Sequence, residues 1–161
     1  MRNVGRKFAL AAAVLALGAS SALAAAGPFA QFTGTWKGAG RISDIHGKSE
    51  PLTCKSTYSP QPDGIAMSLA LTCASDSYRV DFHCELFTDG QALRGTWTET
   101  TRNAEGNVHG TIGPDFINAI TDAPGFTATI AVHMVSAARM DVDLKAHGNV
   151  SIDHVVVTMK R

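Results

Sequence analysis

From Phe32 onward, apolar and polar side chains alternate in short runs, and Asp, Gly, Asn and Ser break the runs. No segment long enough for a three-turn helix carries a helical period. A chain patterned this way can bury one face of each run and wet the other, which is the period of a β-strand. The stretch Phe32 to Ile42 sets the type. Phe32, Gly34, Trp36, Gly38, Gly40 and Ile42 fall on one face, and Thr33, Thr35, Lys37, Ala39 and Arg41 on the other. One large aromatic among three glycines suits a close approach by another layer or a bend at a barrel rim.

Further runs follow at Glu50–Tyr58, Ile65–Cys73, Tyr78–Phe87 and Gln91–Thr101, then at Val108–Ile112, Phe116–Thr121, Phe126–Met134, Met140–Lys145 and Val150–Lys160. The last run changes parity, and a β-bulge near His154 reconciles its two halves. An open sheet of about ten strands would leave long unpaired edges, which closure removes. The expected fold is all-β: an antiparallel up-and-down meander closing into a lipocalin-like β-barrel of about 8–10 strands.

Two turns set registers. With Asp63-Gly64 as a two-residue loop, Cys54 falls opposite Cys73 and Ser56 opposite Leu71. Pro60 and Pro62 weaken the upper ladder, so a longer loop with the same centre fits as well. With Asp89-Gly90 as the next loop, Leu86 faces Leu93, Cys84 faces Gly95, and Phe82 faces Trp97. The first register makes Cys54–Cys73 the expected disulfide. Cys54 to Cys84 would skip a strand, and the Asp76-Ser77 turn sets Cys73 beside Val80 instead. Cys84 is then a buried apolar thiol.

Residues 1–26 read as a secretory signal peptide. Arg2, Arg6 and Lys7 precede an apolar Phe8–Leu17 segment too short to span a bilayer, and the small-x-small pattern Ala22-Leu23-Ala24 recurs at Ala24-Ala25-Ala26. Cleavage is expected after Ala24 or Ala26, leaving residues 27–161 as one β-barrel domain. The chain has 14 basic and 14 acidic residues, and three of the basic ones lie in this leader, so the remainder carries a net charge of −3. A mildly acidic surface argues against nucleic acid as a partner. No later apolar run approaches membrane-spanning length, so no stable membrane insertion is expected after cleavage. The expected location is periplasmic or secreted, where disulfides persist.

Catalytic and metal signatures are absent from the pattern. The six histidines share no ligand spacing. His83 lies between Asp81 and Glu85 on an outward face, and Asp141 and Asp143 share another, with Asp153 within reach across the hairpin; both groups read as solvated strand faces. No G-x-S-x-G occurs. The chain is therefore expected not to be an enzyme and to need no cofactor. Trp36, Phe82, Trp97 and Tyr58 are the candidate ligand-binding residues. Each is an inward aromatic that either walls a cavity or plugs the core.

The opening Phe32-Thr33-Gly34-Thr35-Trp36 resembles the G-x-W start of lipocalins, avidins and their relatives. That likeness implies a first-strand Trp packed across the barrel end against a basic residue on the last strand, for which Lys160 and Arg161 are the candidates. The T-D-Y motif and the C-terminal helix of lipocalins are missing, so no ligand contacts carry over. A broader likeness is carried by Gly34-Thr35-Trp36-Lys37-Gly38-Ala39-Gly40, the surroundings of Cys54 (Cys54-Lys55-Ser56-Thr57-Tyr58), Leu71 to Arg79 and Gly95 to Asn103. Over nearly the whole mature chain, these segments are similar to a family of small exported alphaproteobacterial proteins. This implies export and a single domain, and no activity. Two functions remain. One is an exported binding protein for a small apolar or amphipathic ligand. The other is an interaction module for an envelope protein, such as a periplasmic protease or lysozyme inhibitor.

Overall fold

The computed structural model describes residues 27–161; the expected signal segment, with its Ala24 and Ala26 cleavage positions, lies outside the described residues. A lead-in with one 3-10 turn, Ala30–Phe32, precedes ten strands. These are β1 (Gly34–Asp44), β2 (Ser49–Pro60), β3 (Ala66–Ala74), β4 (Arg79–Asp89) and β5 (Ala92–Glu99). They continue as β6 (Ala104–Ile112), β7 (Phe116–Ala123), β8 (Phe126–Ser136), β9 (Arg139–Gly148) and β10 (Ile152–Lys160). Each strand pairs antiparallel with its sequence neighbours, and β1 pairs with β10 to close the barrel. The fold is the expected all-β closed meander.

The period-two alternation decides which side chains enter the barrel. On β1 and β2 these are Trp36, Ile42, Glu50, Leu52, Cys54, Ser56 and Tyr58, all buried. The first hairpin has the expected register: Cys54 pairs with Cys73 and Ser56 with Leu71. Its loop is longer than two residues but keeps the same centre, since Pro60 still pairs with Met67. The Asp63 carboxylate accepts the Ile65 and Ala66 N–H groups and shapes that loop.

The β4–β5 register differs from expectation by two residues. Asp89 pairs with Ala92, Leu86 with Gly95 and Cys84 with Trp97, while Phe82 faces Glu99. The loop residues are Gly90 and Gln91, not Asp89 and Gly90. Gly90 holds φ +60° at the first loop position, the place where a type II′ hairpin turn needs glycine. A shift of two preserves every face, so the inward set is unchanged. It does change neighbours: a Cβ on Gly95 would lie 2.9 Å from Leu86 Cδ2, in space that the leucine already fills.

The bulge in the last strand is present. Ser43 pairs with His154 and Asp44 with Ile152, leaving Asp153 as the extra residue. Of the two candidate basic residues, Arg161 is the one that meets Trp36: its guanidinium carbon stands 4.6 Å from the ring centroid.

Candidate functional site: the open half of the barrel interior

The two ends of the barrel are finished differently. At one end, the Gly27–Thr33 lead-in runs beneath the strands. Gly27 packs against Gly64 of the β2–β3 loop, and the Gln31 amide donates to the Gly113 carbonyl beyond β6. Phe29, Phe32, Trp36, Met67 and Met140 are all 0% exposed there. The Trp36 indole N–H donates to the Phe32 carbonyl at 2.8 Å, so the ring is buried with its one donor satisfied. This end is solid.

Toward the opposite end burial is mixed: Ile42, Leu52, Trp97 and Ala128 are still buried, while other inward apolar side chains are only half-buried. On β3 and β4 these are Leu69, Leu71, Val80, Phe82 and Cys84. Across the barrel, on β8–β10, they are Phe126, Leu144, Ile152 and Val155. Two apolar walls therefore face each other above the plug. Trp97 projects between them from β5. Its ring centroid is 5.3 Å from that of Phe82 in an edge arrangement and 5.8 Å from that of Phe126. The indole reaches Phe126 by crossing Gly106 of β6: a Cβ on Gly106 would sit 2.8 Å from Trp97 Nε1 and 1.8 Å from the Asp122 carbonyl oxygen.

The sequence-derived candidates divide between these regions. Phe82 and Trp97 line the open half. Trp36 lies in the plug. Tyr58 is buried below the open half, with its ring 6.2 Å from Phe32. It is linked to the open half by a ladder of successive partners: Tyr58, Leu69, Cys84 and Trp97 on β2 to β5. Burial pushes the Tyr58 hydroxyl well above the usual phenol range. Cys54 and Cys73 form the expected disulfide, with Sγ–Sγ 2.07 Å. Cys84 is free, and burial pushes its thiol up to about 12, with the Glu85 charge adding to the effect. It is held as an uncharged thiol, unsuited to nucleophilic work.

Two rim residues escape the sequence reading. Glu50 and Glu99 occupy inward positions at the open end and are 8% and 3% exposed. Glu50 accepts hydrogen bonds from the Ser75 hydroxyl and from the Ser77 N–H and hydroxyl. These bonds, Ser75 foremost, hold its carboxyl below the usual range. Glu99 accepts the N–H groups of Asp81, Thr101 and Arg102 and the Thr101 hydroxyl. Burial works against its charge, but the bonds together outweigh burial and its carboxyl is also lowered. Each glutamate fastens one turn of the rim, 75–78 or 100–103. The signal was available: both share the parity of apolar inward residues, where an unpaired carboxylate would be costly.

Three buried side-chain polar atoms among the described residues have no hydrogen-bond partner: Ser56 Oγ, Trp97 Nε1 and Thr121 Oγ1. A group left so costs about 1–3 kcal/mol. Thr121 lies one inward position below Ala123, whose cross-strand partner is Phe126. Among the described residues there is no cluster of three metal-ligating side chains. The outer wall carries two shallow grooves of about 430 and 360 Å³ that share Ala131 and Asp143. Their lining is mostly outward side chains, among them His109, Ile120 and His133, with the inward Ile130 and Val142 reached between the strands.

No family model and no curated protein matches the chain. Among solved structures, an S-type phycobiliprotein lyase from Guillardia theta is similar over 83% of this chain and 89% of its own, with TM-score 0.60 and 10% identity. A redesigned β-barrel bound to DFHBI aligns over 81% of this chain and 99% of its own, with TM-score 0.49 and 9% identity. At 10% identity the likeness to the lyase is one of fold: a closed antiparallel barrel.

Proposed function

We propose that this protein is an exported barrel that binds a small apolar or amphipathic molecule in the open half of its interior, acting by binding rather than catalysis. The observation that carries the reading is the contrast in burial along the barrel axis. The same inward parity gives buried side chains such as Trp36, Met67 and Met140 at the plugged end, whereas near the rim half-buried apolar ones stand beside the buried Ile42, Leu52 and Ala128. A concave apolar lining with few polar groups is the usual form of a small-molecule site. The disulfide and the leader pattern support an oxidising, periplasmic or extracellular location. The fold alone does not separate binding from catalysis, since a phycobiliprotein lyase shares it. The uncharged Cys84 thiol and the saturated rim carboxylates favour binding.

Native mass spectrometry of the protein purified from its own cell envelope tests this. A co-purifying adduct is expected, and Ala123→Trp, which fills the space beside Phe126, should abolish it. A bare mass together with no uptake of any apolar probe overturns the reading. An interaction module for an envelope protein is the second reading. It is supported by Phe87 and Ile65, 53% and 54% exposed near the plugged end of the outer wall. Under that reading Phe87→Ser would abolish capture of a partner and leave small-molecule uptake intact.

A further inference from the structure

We infer that the ligand of this chamber is a flat, uncharged aromatic or conjugated molecule that carries a hydrogen-bond acceptor, and not an anionic lipid; this rests on the binding function proposed above. Three features of the interior converge on that class.

The first is shape. Phe82, Trp97 and Phe126 form a chain of rings with interplanar angles of 64° and 57° at successive contacts. Phe82 and Phe126 are half-buried, so part of each ring is accessible to a further flat π-system, while Trp97 between them is 3% exposed. Such a ligand sits between the β3–β4 wall and the β8–β10 wall, displacing the Trp97 ring from Gly106.

The second is hydrogen bonding. Trp97 and Thr121 are 3% and 7% exposed, point into the barrel and have side-chain polar atoms without partners. An indole N–H can only donate, and a threonine hydroxyl can donate or accept. A ligand that moves the Trp97 ring and presents a carbonyl oxygen satisfies the donor, whereas a pure hydrocarbon leaves it unpaired. Buried polar groups in folded proteins nearly always have a partner, and here that partner is assigned to the ligand.

The third is charge. The inward positions of the ten strands hold no Lys, Arg or His. The charged residues at inward parity are Asp44, Glu50 and Glu99, all at the rim through which a ligand passes, and all already hydrogen-bonded to the turns they hold. An anionic head group would find no counter-ion inside and only carboxylates at the mouth. Desolvating such a charge without a partner is strongly unfavourable.

Three fluorescent probes separate these claims. Phenylnaphthylamine is neutral, anilinonaphthalene sulfonate adds one negative charge to the same skeleton, and prodan is a neutral naphthalene bearing a ketone. Titration of the intact protein should show prodan and phenylnaphthylamine binding, with the sulfonate weaker by about tenfold or more. Trp97→Phe keeps a ring and removes the donor; it should weaken prodan at least about threefold and leave phenylnaphthylamine unchanged. Thr121→Val removes the second polar group without changing shape and serves as an independent variant if Trp97→Phe does not fold. Equal affinity for the sulfonate overturns neutrality while the binding function stands. Prodan binding that neither variant weakens relative to phenylnaphthylamine overturns the acceptor assignment. Binding of none of the three by the wild-type protein removes the chamber itself, and the proposed function with it.

Discussion

The tripeptide Gly-Thr-Trp occurs twice, at Gly34-Thr35-Trp36 and at Gly95-Thr96-Trp97, and the two copies come to opposite ends of one interior. Both tryptophans face inward from a strand, and both are almost fully buried. Their surroundings differ in what comes from elsewhere in the chain. Trp36 receives a carbonyl from Phe32, the aromatic floor of Phe29 and Phe32, and the Arg161 guanidinium over its ring. Trp97 receives two aromatic edges and no hydrogen-bond partner. The same local sequence therefore makes a structural plug where the termini complete it, and an unfinished wall where they do not.

Deleting each ring in turn should give the largest difference between the two ends. Trp36→Ala removes a fully buried, hydrogen-bonded indole from a solid floor and should cost about 3–5 kcal/mol in urea unfolding. Trp97→Ala should cost clearly less, because its neighbours are half-buried and can close over the space. Equal losses would mean that the upper half is packed like the lower one. Next in size is the Cys54–Cys73 bond, which spans 19 residues of sequence and ties β2 to β3. Its reduction, or the double Cys54→Ala, Cys73→Ala variant, should lower stability by about 3 kcal/mol, read as a drop in denaturation midpoint with and without reductant.

Much of this architecture is legible in the residues, and the failures have a common physical cause. Alternation assigns faces, so the inward set and the Cys54–Cys73 pairing follow once the centre of a turn is known. The β4–β5 register is off by two because such a shift leaves every face unchanged; only the backbone of Gly90 distinguishes the two loops. The Trp36–Arg161 contact is anticipated by the resemblance of the opening strand to the lipocalin pattern, since two termini meeting 125 residues apart leave no local trace. The Trp97–Phe126 contact is invisible to any local reading, because the indole reaches across β6 over a glycine. Glu50 and Glu99 stand at inward positions in plain sight, but parity says only that a side chain enters the barrel. It does not say that a turn above will receive the carboxylate.

Those carboxylates give the third prediction, and they act on the open end alone. Their folded-state values are lowered, so their contribution is fully present above the ordinary carboxylate value of about 4.3 and is lost as pH falls through the lowered folded values. Acid should therefore loosen the rim before the plug. Hydrogen exchange should show the Ser77, Thr101 and Arg102 amides losing protection with falling pH while the Trp36 region keeps it. At neutral pH, Glu99→Ala should cost about 2 kcal/mol, with Glu99→Gln recovering part of it through its remaining carbonyl. Simultaneous acid loss at both ends would show that the barrel melts as one unit.

The smallest effect concerns how the plugged end is sealed. Arg161 lies over Trp36, donates to the Thr33 carbonyl at 2.7 Å, and pairs through its backbone N–H with the Ala138 carbonyl at 3.3 Å. One exposed side chain thus joins the C-terminus, the lead-in and the buried indole. A cation–π contact at an exposed site contributes about 0.5–1 kcal/mol, and its hydrogen bond a similar amount. Arg161→Ala should accordingly lower stability by about 1 kcal/mol. Arg161→Lys should keep some of the charge effect but lose the planar stacking that a guanidinium provides. Because the residue touches only the solid end, neither change should alter probe binding in the chamber. A shift in probe affinity larger than the loss in stability would show the two ends to be mechanically linked, with the tryptophans acting through one continuous core.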